Sequence, residues 1–149
     1  MNKYSVNGEA AVGTSKTVIY LFSTGTTRKL GIKDVVIGSD AAVADTATQF
    51  EMRYGTAVGT EGSGYTPVPL DPDTPAASSD CGVAHGVEPT YTASTTLLAM
   101  SVNQRATFRW VAADGYELIV NNVANEGIGL QSVSSTGTAV HQGTFLYEE

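Results

Sequence analysis

Short runs of alternating or continuous apolar residues, separated by turn residues, recur along the whole chain. The clearest alternation is 49–58 (QFEMRYGTAV), in which every second residue from Phe50 to Tyr54 is apolar and the residues between them are polar. A period of two is typical of a strand with one buried and one wet face. The other predicted strands are residues 17–22, 30–38, 82–87, 97–102, 107–112, 116–120, 127–133 and 143–148. The pattern predicts an all-β protein, because the best helix candidate, 39–48, carries Asp45 and several Ser or Thr residues that disfavour a helix.

The strongest turn signal is the pair Asp114-Gly115, which lies between FRWVA and YELIV. An Asp-Gly pair flanked by alternating apolar residues is typical of a β-hairpin with a type I′ turn, since both central residues of that turn need positive φ. We therefore expect residues 107–112 and 116–120 to pair with each other as a hairpin.

Two prolines limit how residues 65–70 (YTPVPL) can pair, because proline lacks the N–H that a central strand donates. We expect this segment at a sheet edge or in an extended connection. Residues 71–80 (DPDTPAASSD) are the longest irregular segment and are predicted to cross between two sheets. Many short strands, tight turns and one long crossover predict an antiparallel β-sandwich, and we favour the jelly-roll type.

The first fifteen residues are polar and small, with Gly8 and Gly13 as breakers. They predict an extended N-terminal arm over residues 1–15, followed by a single β-sandwich domain over residues 16–149. The arm is either ordered against a neighbouring molecule or a frayed terminus. A chain of 149 residues is the size of one domain. On this hypothesis, deleting residues 1–12 would weaken attachment to a partner while the β-body stays folded.

The charge balance argues against nucleic acid and anionic membranes as partners. The chain carries eight Lys and Arg against 15 Asp and Glu, a net charge of −7, and the cations are scattered. Binding to nucleic acid or to an anionic membrane surface draws on clustered cations, so neither partner is expected. The opening residues MNKYSVNGEA lack the apolar stretch of a secretion signal, and no apolar run reaches membrane-spanning length.

No residue pattern predicts a metal or cofactor site. The two histidines, His85 and His141, do not have the spacing of metal ligands, and Asp71 and Asp73 lack the rest of a calcium loop. The glycine-rich segment 59–64 is not followed by the Lys and helix of a phosphate-binding loop. We expect no metal and no cofactor.

No nucleophile pattern emerges either. No G-x-S-x-G sequence occurs. The lone cysteine, Cys81, is four residues from His85, which in a strand places the two Cα atoms roughly 13 Å apart, so they are not expected to form a catalytic pair. A single cysteine excludes an intrachain disulfide, and a buried apolar filler is its usual role. We expect no catalytic residues and no enzymatic activity.

The aromatic residues offer the best candidates for an interface. Trp110 lies in an alternating strand and is predicted to be core, whereas Tyr65 and Tyr91 lie in predicted loops. Exposed aromatic side chains are enriched at interfaces. The predicted interface residues are therefore Tyr65 and Tyr91, together with Tyr4 and Val6 in the arm.

Four segments carry a resemblance to a known family: 71–76 (DPDTPA), 87–92 (VEPTYT), 103–112 (NQRATFRWVA) and 127–130 (GIGL). With them, residues 30–149 resemble small structural proteins of tailed bacteriophages. Some members of that family are head decoration, or cement, proteins with a jelly-roll fold that form trimers on the outer capsid surface. The resemblance implies a homotrimer that is made in the host cytoplasm, binds the major capsid protein outside the virion head and stabilises the shell.

Other functions remain open at this point. A tail, baseplate or fibre component that binds host glycans through Tyr65 and Tyr91 would suit the same fold. An enzyme and a non-viral binding module are weaker alternatives, because the residues supply no catalytic constellation. The net charge of −7 suits a position outside the shell better than one facing the genome.

Overall fold

The structure is a computed structural model that describes residues 1–11, 13–25, 28–136 and 138–149. All regular elements in these ranges are β-strands, and no helix occurs among them, so none there could cross a membrane. The strands are β1 (Lys3–Ala10), β2 (Lys16–Phe22), β3 (Leu30–Asp40), β4 (Ala47–Ala57), β5 (Ser63–Tyr65), β6 (Val68–Pro69), β7 (Asp80–Val83), β8 (Thr90–Asn103), β9 (Phe108–Val111), β10 (Leu118–Val120), β11 (Gly127–Ser134) and β12 (Val140–Glu148). The predicted all-β class is confirmed.

The strands form two six-stranded antiparallel sheets that pack together as a sandwich. In the first, sheet A, the order is β10-β3-β12-β1-β6, and β9 also pairs with β3. In the second, sheet B, the order is β5-β7-β2-β11-β4-β8. Residues 71–80 lead from β6 in sheet A to β7 in sheet B, so the predicted crossover is confirmed.

The core lies between the sheets and is built from the apolar half of each alternating strand. In β4, Phe50 and Met52 are fully buried while Gln49, Glu51 and Arg53 are only partly covered, as the period-two pattern predicts. The largest fully buried apolar side chains are Tyr4, Tyr20, Tyr147, Phe50, Phe145, Ile19, Leu21, Leu30, Ile32, Ile37, Met52 and Ile128. Both sheets contribute to this single core, so the chain folds around one hydrophobic centre.

Most of the segment predicted to be an arm is a strand of sheet A. Each residue of β1 from Lys3 to Ala10 pairs with β12, and Tyr4 and Ser5 also pair with β6 on the other side. Its alternate residues point into the core, which explains why a short polar segment is ordered. Residue 12 of the predicted arm lies outside the described residues.

The predicted hairpin at Asp114-Gly115 is wrong. The strands β9 and β10 do not pair with each other; both pair with β3, β9 along Asp34–Ile37 and β10 along Leu30–Ile32. They therefore form one broken edge strand, from which residues 112–117 project as a loop. The turn closes through Tyr116 N–H donating to the Ala113 carbonyl at 2.9 Å, and only Gly115 of the two central residues has positive φ. A type I′ turn needs positive φ at both residues. The dipeptide therefore predicted the position of a tight turn correctly, but the turn is not of type I′.

Smaller differences concern element ends. The strand predicted at 97–102 extends over Thr90–Asn103. The segment 65–70 contains the last residue of β5 and all of β6, and both of these strands lie at sheet edges. The weak helix candidate 39–48 is the end of β3, a loop and the start of β4. Ala41 and Ala42 in that loop have φ of 48° and 47°, which no right-handed helix contains.

Candidate interaction surfaces

The outer face of sheet B is covered by the chain itself. The segment 84–95, which leads from β7 into β8, folds over β2 and β11. The Thr17 N–H donates to the Glu88 carboxylate at 2.8 Å, and the Thr17 hydroxyl lies 2.8 Å from the Tyr91 hydroxyl. Gly129 lies directly beneath Tyr91, where a Cβ would overlap the tyrosine hydroxyl. This cover explains why β2 is buried on both faces from Thr17 to Phe22.

Tyr91 is part of this cover and not of a free loop. Its ring meets Tyr20 edge to face at a centroid separation of 6.1 Å, and the Arg53 guanidinium lies 5.3 Å from the ring centroid. Burial raises the pKa of the Tyr91 phenol. The side chain is half-buried and holds the segment 84–95 to the sheet, so its prediction as an exposed interface residue is corrected.

The outer face of sheet A has no such cover within the described residues. We call it the bare face and define it by the outward residues Asn7, Val36, Val111, Thr144 and Leu146, which lie in cross-strand rows on β1, β12, β3 and β9. Val111 is 58 % exposed. Val36 and Leu146 are partly exposed, so this face carries three aliphatic side chains that solvent reaches.

Three shallow depressions lie on the bare face. One of about 220 Å³ is lined by Leu70, Val111 and Leu146, with Lys3, Lys33, Asp34 and Glu148 around it. The other two, of about 320 and 210 Å³, share Gln142, Gly143 and Thr144. The larger of these also borders Asn7, Glu9 and Tyr65.

Several charges on the bare face lie beside opposite charges. Arg109 clamps the Asp34 carboxylate with Nε at 3.1 and 3.0 Å from its two oxygens, and these hydrogen bonds raise the pKa of Arg109. The Lys33 ammonium lies 3.3 Å from Glu117 and 3.2 Å from Glu148. Paired charges of this kind lower the electrostatic penalty of bringing a second protein onto the face.

Two predicted interface residues lie in the core instead. Tyr4 is 1 % exposed and Val6 is 3 % exposed. The Tyr4 ring stacks on Tyr147 at 5.5 Å, and its hydroxyl donates to the Pro75 carbonyl at 3.0 Å. Both are withdrawn as interface residues, because a side chain inside the sandwich cannot contact a partner. Tyr65 is 45 % exposed at the rim of the largest depression and remains a candidate.

The nucleophilic and basic side chains are dispersed. Cys81 is fully buried in the core, and burial raises the pKa of its thiol, which disfavours the reactive thiolate. His85 lies on the other side of the β7 strand, against the Tyr20 ring. Among the described residues, no three His, Cys, Asp or Glu side chains are placed to hold a metal ion.

His141 is hydrogen-bonded to two serines, but the arrangement is a structural network. Its Nδ1 lies 3.0 Å from the Ser39 hydroxyl and its Nε2 lies 2.9 Å from the Ser135 hydroxyl. The ring is fully buried against Phe50, and burial lowers its pKa. The Ser135 hydroxyl also lies 3.2 Å from the Thr48 hydroxyl. The network therefore joins the ends of β3, β11 and β12 to β4. Both ring nitrogens contact hydroxyls, which leaves neither for a carboxylate that would orient a catalytic base.

Comparisons with family models, with curated proteins and with solved structures found no match. The surfaces of this chain therefore have to be interpreted from its own geometry.

The bare face was missed in the sequence because its signal is spread over four strands. Val36, Val111 and Leu146 lie at positions where a period-two pattern predicts polar residues, and this departure is a local sign of an apolar outer face. Which strands lie side by side cannot be read from one strand at a time.

Proposed function

We propose that this protein is a virion structural protein, a decoration (cement) protein that binds the outer surface of a tailed-phage head as a homotrimer and stabilises the shell. The bare face is the observation that carries the proposal. One sheet of the sandwich is covered by the protein's own segment 84–95, whereas the other has Val111 exposed to solvent and Val36 and Leu146 partly exposed. A protein whose role is passive contact needs such a face and no reactive site.

The strand order supports a jelly-roll assignment. Counting the broken edge strand β9–β10 as one strand, and treating β5, β6 and β7 as additions, leaves the eight strands β1, β2, β3, β4, β8, β9–β10, β11 and β12. Sheet A then has the order first, eighth, third, sixth, and sheet B has the order second, seventh, fourth, fifth. Two interleaved four-stranded keys of this kind define the eight-stranded jelly roll.

The mechanism follows from linkage. A protein that binds only the assembled shell, with the major capsid protein as its partner, lowers the free energy of that state and opposes expansion or loss of subunits. The net charge of −7 suits attachment outside the shell, away from the genome.

The test compares two exposed valines. Val111→Asp places a carboxylate in the bare face, whereas Val123→Asp makes the same change in the 121–126 loop, at a side chain of similar exposure, 49 % against 58 %. Each protein is incubated with undecorated heads of the phage that encodes it, and the bound copies are counted after sedimentation. We expect V111D to lower the binding constant about tenfold or more, since a buried unpaired charge costs at least 1.4 kcal/mol, and V123D to bind like the wild type.

Failure would take two distinguishable forms. If the wild-type chain does not sediment with heads, the decoration function is wrong. If the wild type and V111D bind equally, another surface makes the contact.

A glycan-binding tail or fibre component is the second candidate, and Tyr65 favours it. Its exposed ring lies beside Asn7, Gln142 and Thr144 around a depression of about 320 Å³, and an aromatic ring with amide and hydroxyl groups is a common carbohydrate-binding set. A glycan array probed with the wild type and with Tyr65→Ala tests it. Binding that Y65A abolishes would support this candidate, and an array without hits would count against it.

A further inference from the structure

The strand β8 forms one edge of sheet B. It pairs with β4 on one side, and no strand among the described residues pairs with its other side. Its final part is regular, since residues 98–103 pair one by one with residues 47–52. In an antiparallel ladder, alternate residues direct their N–H and C=O groups away from the paired neighbour. The outer side of β8 thus presents a row of backbone groups to solvent.

Natural proteins usually protect such an edge, but residues 98–103 of β8 lack the common protective features. Its sequence, TYTASTTLLAMSVN, contains no charged residue and no proline. Edge strands are normally blunted by lysine, proline, bulges or short length. The bulges of β8 lie before Leu98, so they leave the last six residues straight. Leu97 and Leu98 pack on the core but remain partly exposed at this edge.

The other edges of the molecule are protected. The strand β5 has three residues and β6 has two, one of which is Pro69. The edge formed by β9 and β10 is interrupted by the loop 112–117 and carries Arg109. Within the described residues, only β8 offers an uncharged edge with a straight run of six paired residues, 98–103. The one surface of this chain that matches the length of β8 is therefore β8 of a second copy.

We propose that β8 pairs with β8 of a second copy, antiparallel and about a twofold axis, so that the two B sheets join into one. The inference goes beyond the proposed function and does not depend on it. A twofold contact places each residue against its own counterpart, which a charged strand would oppose. Because β8 is uncharged, two copies that each carry a net charge of −7 can meet here without opposing charges across the new ladder.

The alternation of side chains restricts the register. Met100 and Val102 point into the core and Ser101 points outward, and opposed residues in a ladder share a face. An even-numbered residue must therefore pair with an even-numbered residue of the second copy, and an odd-numbered one with an odd-numbered one. The twofold axis then passes through a residue and not between two residues, and the residues in the middle of the regular part are Met100 and Ser101. In either register, Ser101 lies directly opposite or diagonally across from the partner copy's equivalent residue, within reach of a long side chain.

The experiment uses the whole chain and three single variants. Ser101→Lys and Ser101→Glu each place like charges across the twofold axis. Ser134→Lys is the matched control, because Ser134, Gln49 and Ser101 form one cross-strand row and Ser134 lies two strands inside the sheet. The assembly state of each is measured by sedimentation velocity over a range of concentrations, and circular dichroism checks the fold.

We expect the wild type and S134K to associate into an even number of chains. S101K and S101E should have about tenfold weaker association, which shifts the average mass at a fixed concentration toward that of the unassociated species. Mixing S101K with S101E should restore the association, because opposite charges now meet at the axis. Amide hydrogen exchange at residues 97–103 should slow as the wild-type concentration rises.

Three results would overturn the proposal. The first is a wild type that stays monomeric at about 100 μM, since the Kd would then exceed roughly 10⁻⁴ M. The second is an S101K variant that is folded and associates like the wild type. The third is an S101K and S101E mixture that stays dissociated while both variants are folded. The second and third results cannot be produced by misfolding, since they require folded protein.

Discussion

The two histidines of the chain are both buried, but only one has hydrogen-bond partners. His141 contacts the Ser39 and Ser135 hydroxyls, whereas neither ring nitrogen of His85 has a partner in the structure. His85 packs edge to face on Tyr20 with its nitrogens near Gly82, on the side where the Glu61 carboxylate lies. A buried polar group without a partner destabilises the folded state, so the two residues should respond oppositely to the same substitution.

Replacing each histidine with phenylalanine tests that contrast, because Phe keeps a ring of similar size. We expect H85F to leave the free energy of unfolding unchanged or to raise it, since it removes an unsatisfied polar group. H141F should lower it by about 1–3 kcal/mol, because two serine hydroxyls lose their partner. Urea unfolding followed by Trp110 fluorescence measures both. A loss of stability in H85F as large as that in H141F would contradict the assignment.

The pH dependence has a definite sign. Burial lowers the pKa of His85 and of His141 in the folded state, and the charge of Glu88 opposes the shift of His85 more weakly. The unfolded chain, with ordinary histidines of pKa about 6.5, therefore binds more protons below that pH than the folded chain does. Stability should be full above pH 6.5 and fall as the pH drops below it.

Urea midpoints at pH 7.5 and 5.5 measure this loss of stability. Each Phe variant should lose less stability on acidification than the wild type. An equal loss in wild type and both variants would assign the acid sensitivity to carboxylates instead.

At the scale of single residues, the sequence predicted burial within a regular strand better than it predicted which residues form an interface. Phe50 and Met52 were placed correctly because alternation within one strand is local. Tyr4, Val6 and Tyr91 were misplaced because burial of a residue outside a clear pattern depends on which distant segment covers it. Tyr91 is covered through Thr17, 74 positions away.

At the scale of elements, the position of β1 in the sheet decides whether the N-terminal residues can be removed without unfolding the protein. The strand β1 lies between β12 and β6 and contributes Tyr4 and Val6 to the core. A detachable arm could be removed without loss of the fold, whereas an interior strand could not. The hypothesis of an arm and the observed pairing thus differ in what truncation would do.

Deletion of residues 1–10 should lower the free energy of unfolding by at least about 3 kcal/mol, the lower end of the cost of losing one large buried aromatic side chain. Deletion of Met1 alone is the control, because its side chain is 86 % exposed and lies outside the strand. Urea unfolding and the dispersion of methyl signals in proton NMR report the outcome. A wild-type unfolding midpoint after removal of residues 1–10 would restore the arm hypothesis.

The failed hairpin shows a limit of local reasoning about elements. Asp114-Gly115 does form a tight turn, as the dipeptide predicts. The flanking strands could satisfy their backbone groups by pairing with each other or with a third strand, and local chemistry cannot distinguish these options. β3 is long enough at eleven residues to pair with both, and it does.

At the scale of the whole molecule, the fold class followed from the sequence and the surfaces did not. Regular short strands and the crossover at 71–80 predict a sandwich because every sandwich needs them. The bare face and the β8 edge can be recognised only when the strand order is known, because each is defined by the lack of a covering segment or a neighbouring strand among the described residues. If the proposed trimer and the β8 contact both form, the smallest closed assembly that contains both contacts is a dimer of trimers.

The charge of the whole molecule predicts how its self-association responds to salt. Every copy carries −7, so copies repel one another at long range even though β8 itself is uncharged. Raising the salt from about 20 to 200 mM shortens the screening length severalfold and should tighten self-association by roughly threefold. Sedimentation velocity at both salt concentrations measures this. Weaker association at high salt would indicate a contact held together by ion pairs instead.

The loop 112–117 has a practical consequence for engineering. The loop begins after Val111, the last residue of β9, and ends before Leu118, the first residue of β10. Val111 pairs with Asp34 of β3 and Leu118 pairs with Ile32, which is only two positions away in the same strand. Its two ends are therefore anchored close together by the same neighbouring strand, whatever the length or sequence between them. Segments anchored in this way accept foreign sequence with little loss of stability, since longer loops add only a slowly growing entropic cost. An epitope or enzyme tag spliced between Ala113 and Tyr116 would be displayed at the molecular surface while the scaffold keeps its strand register.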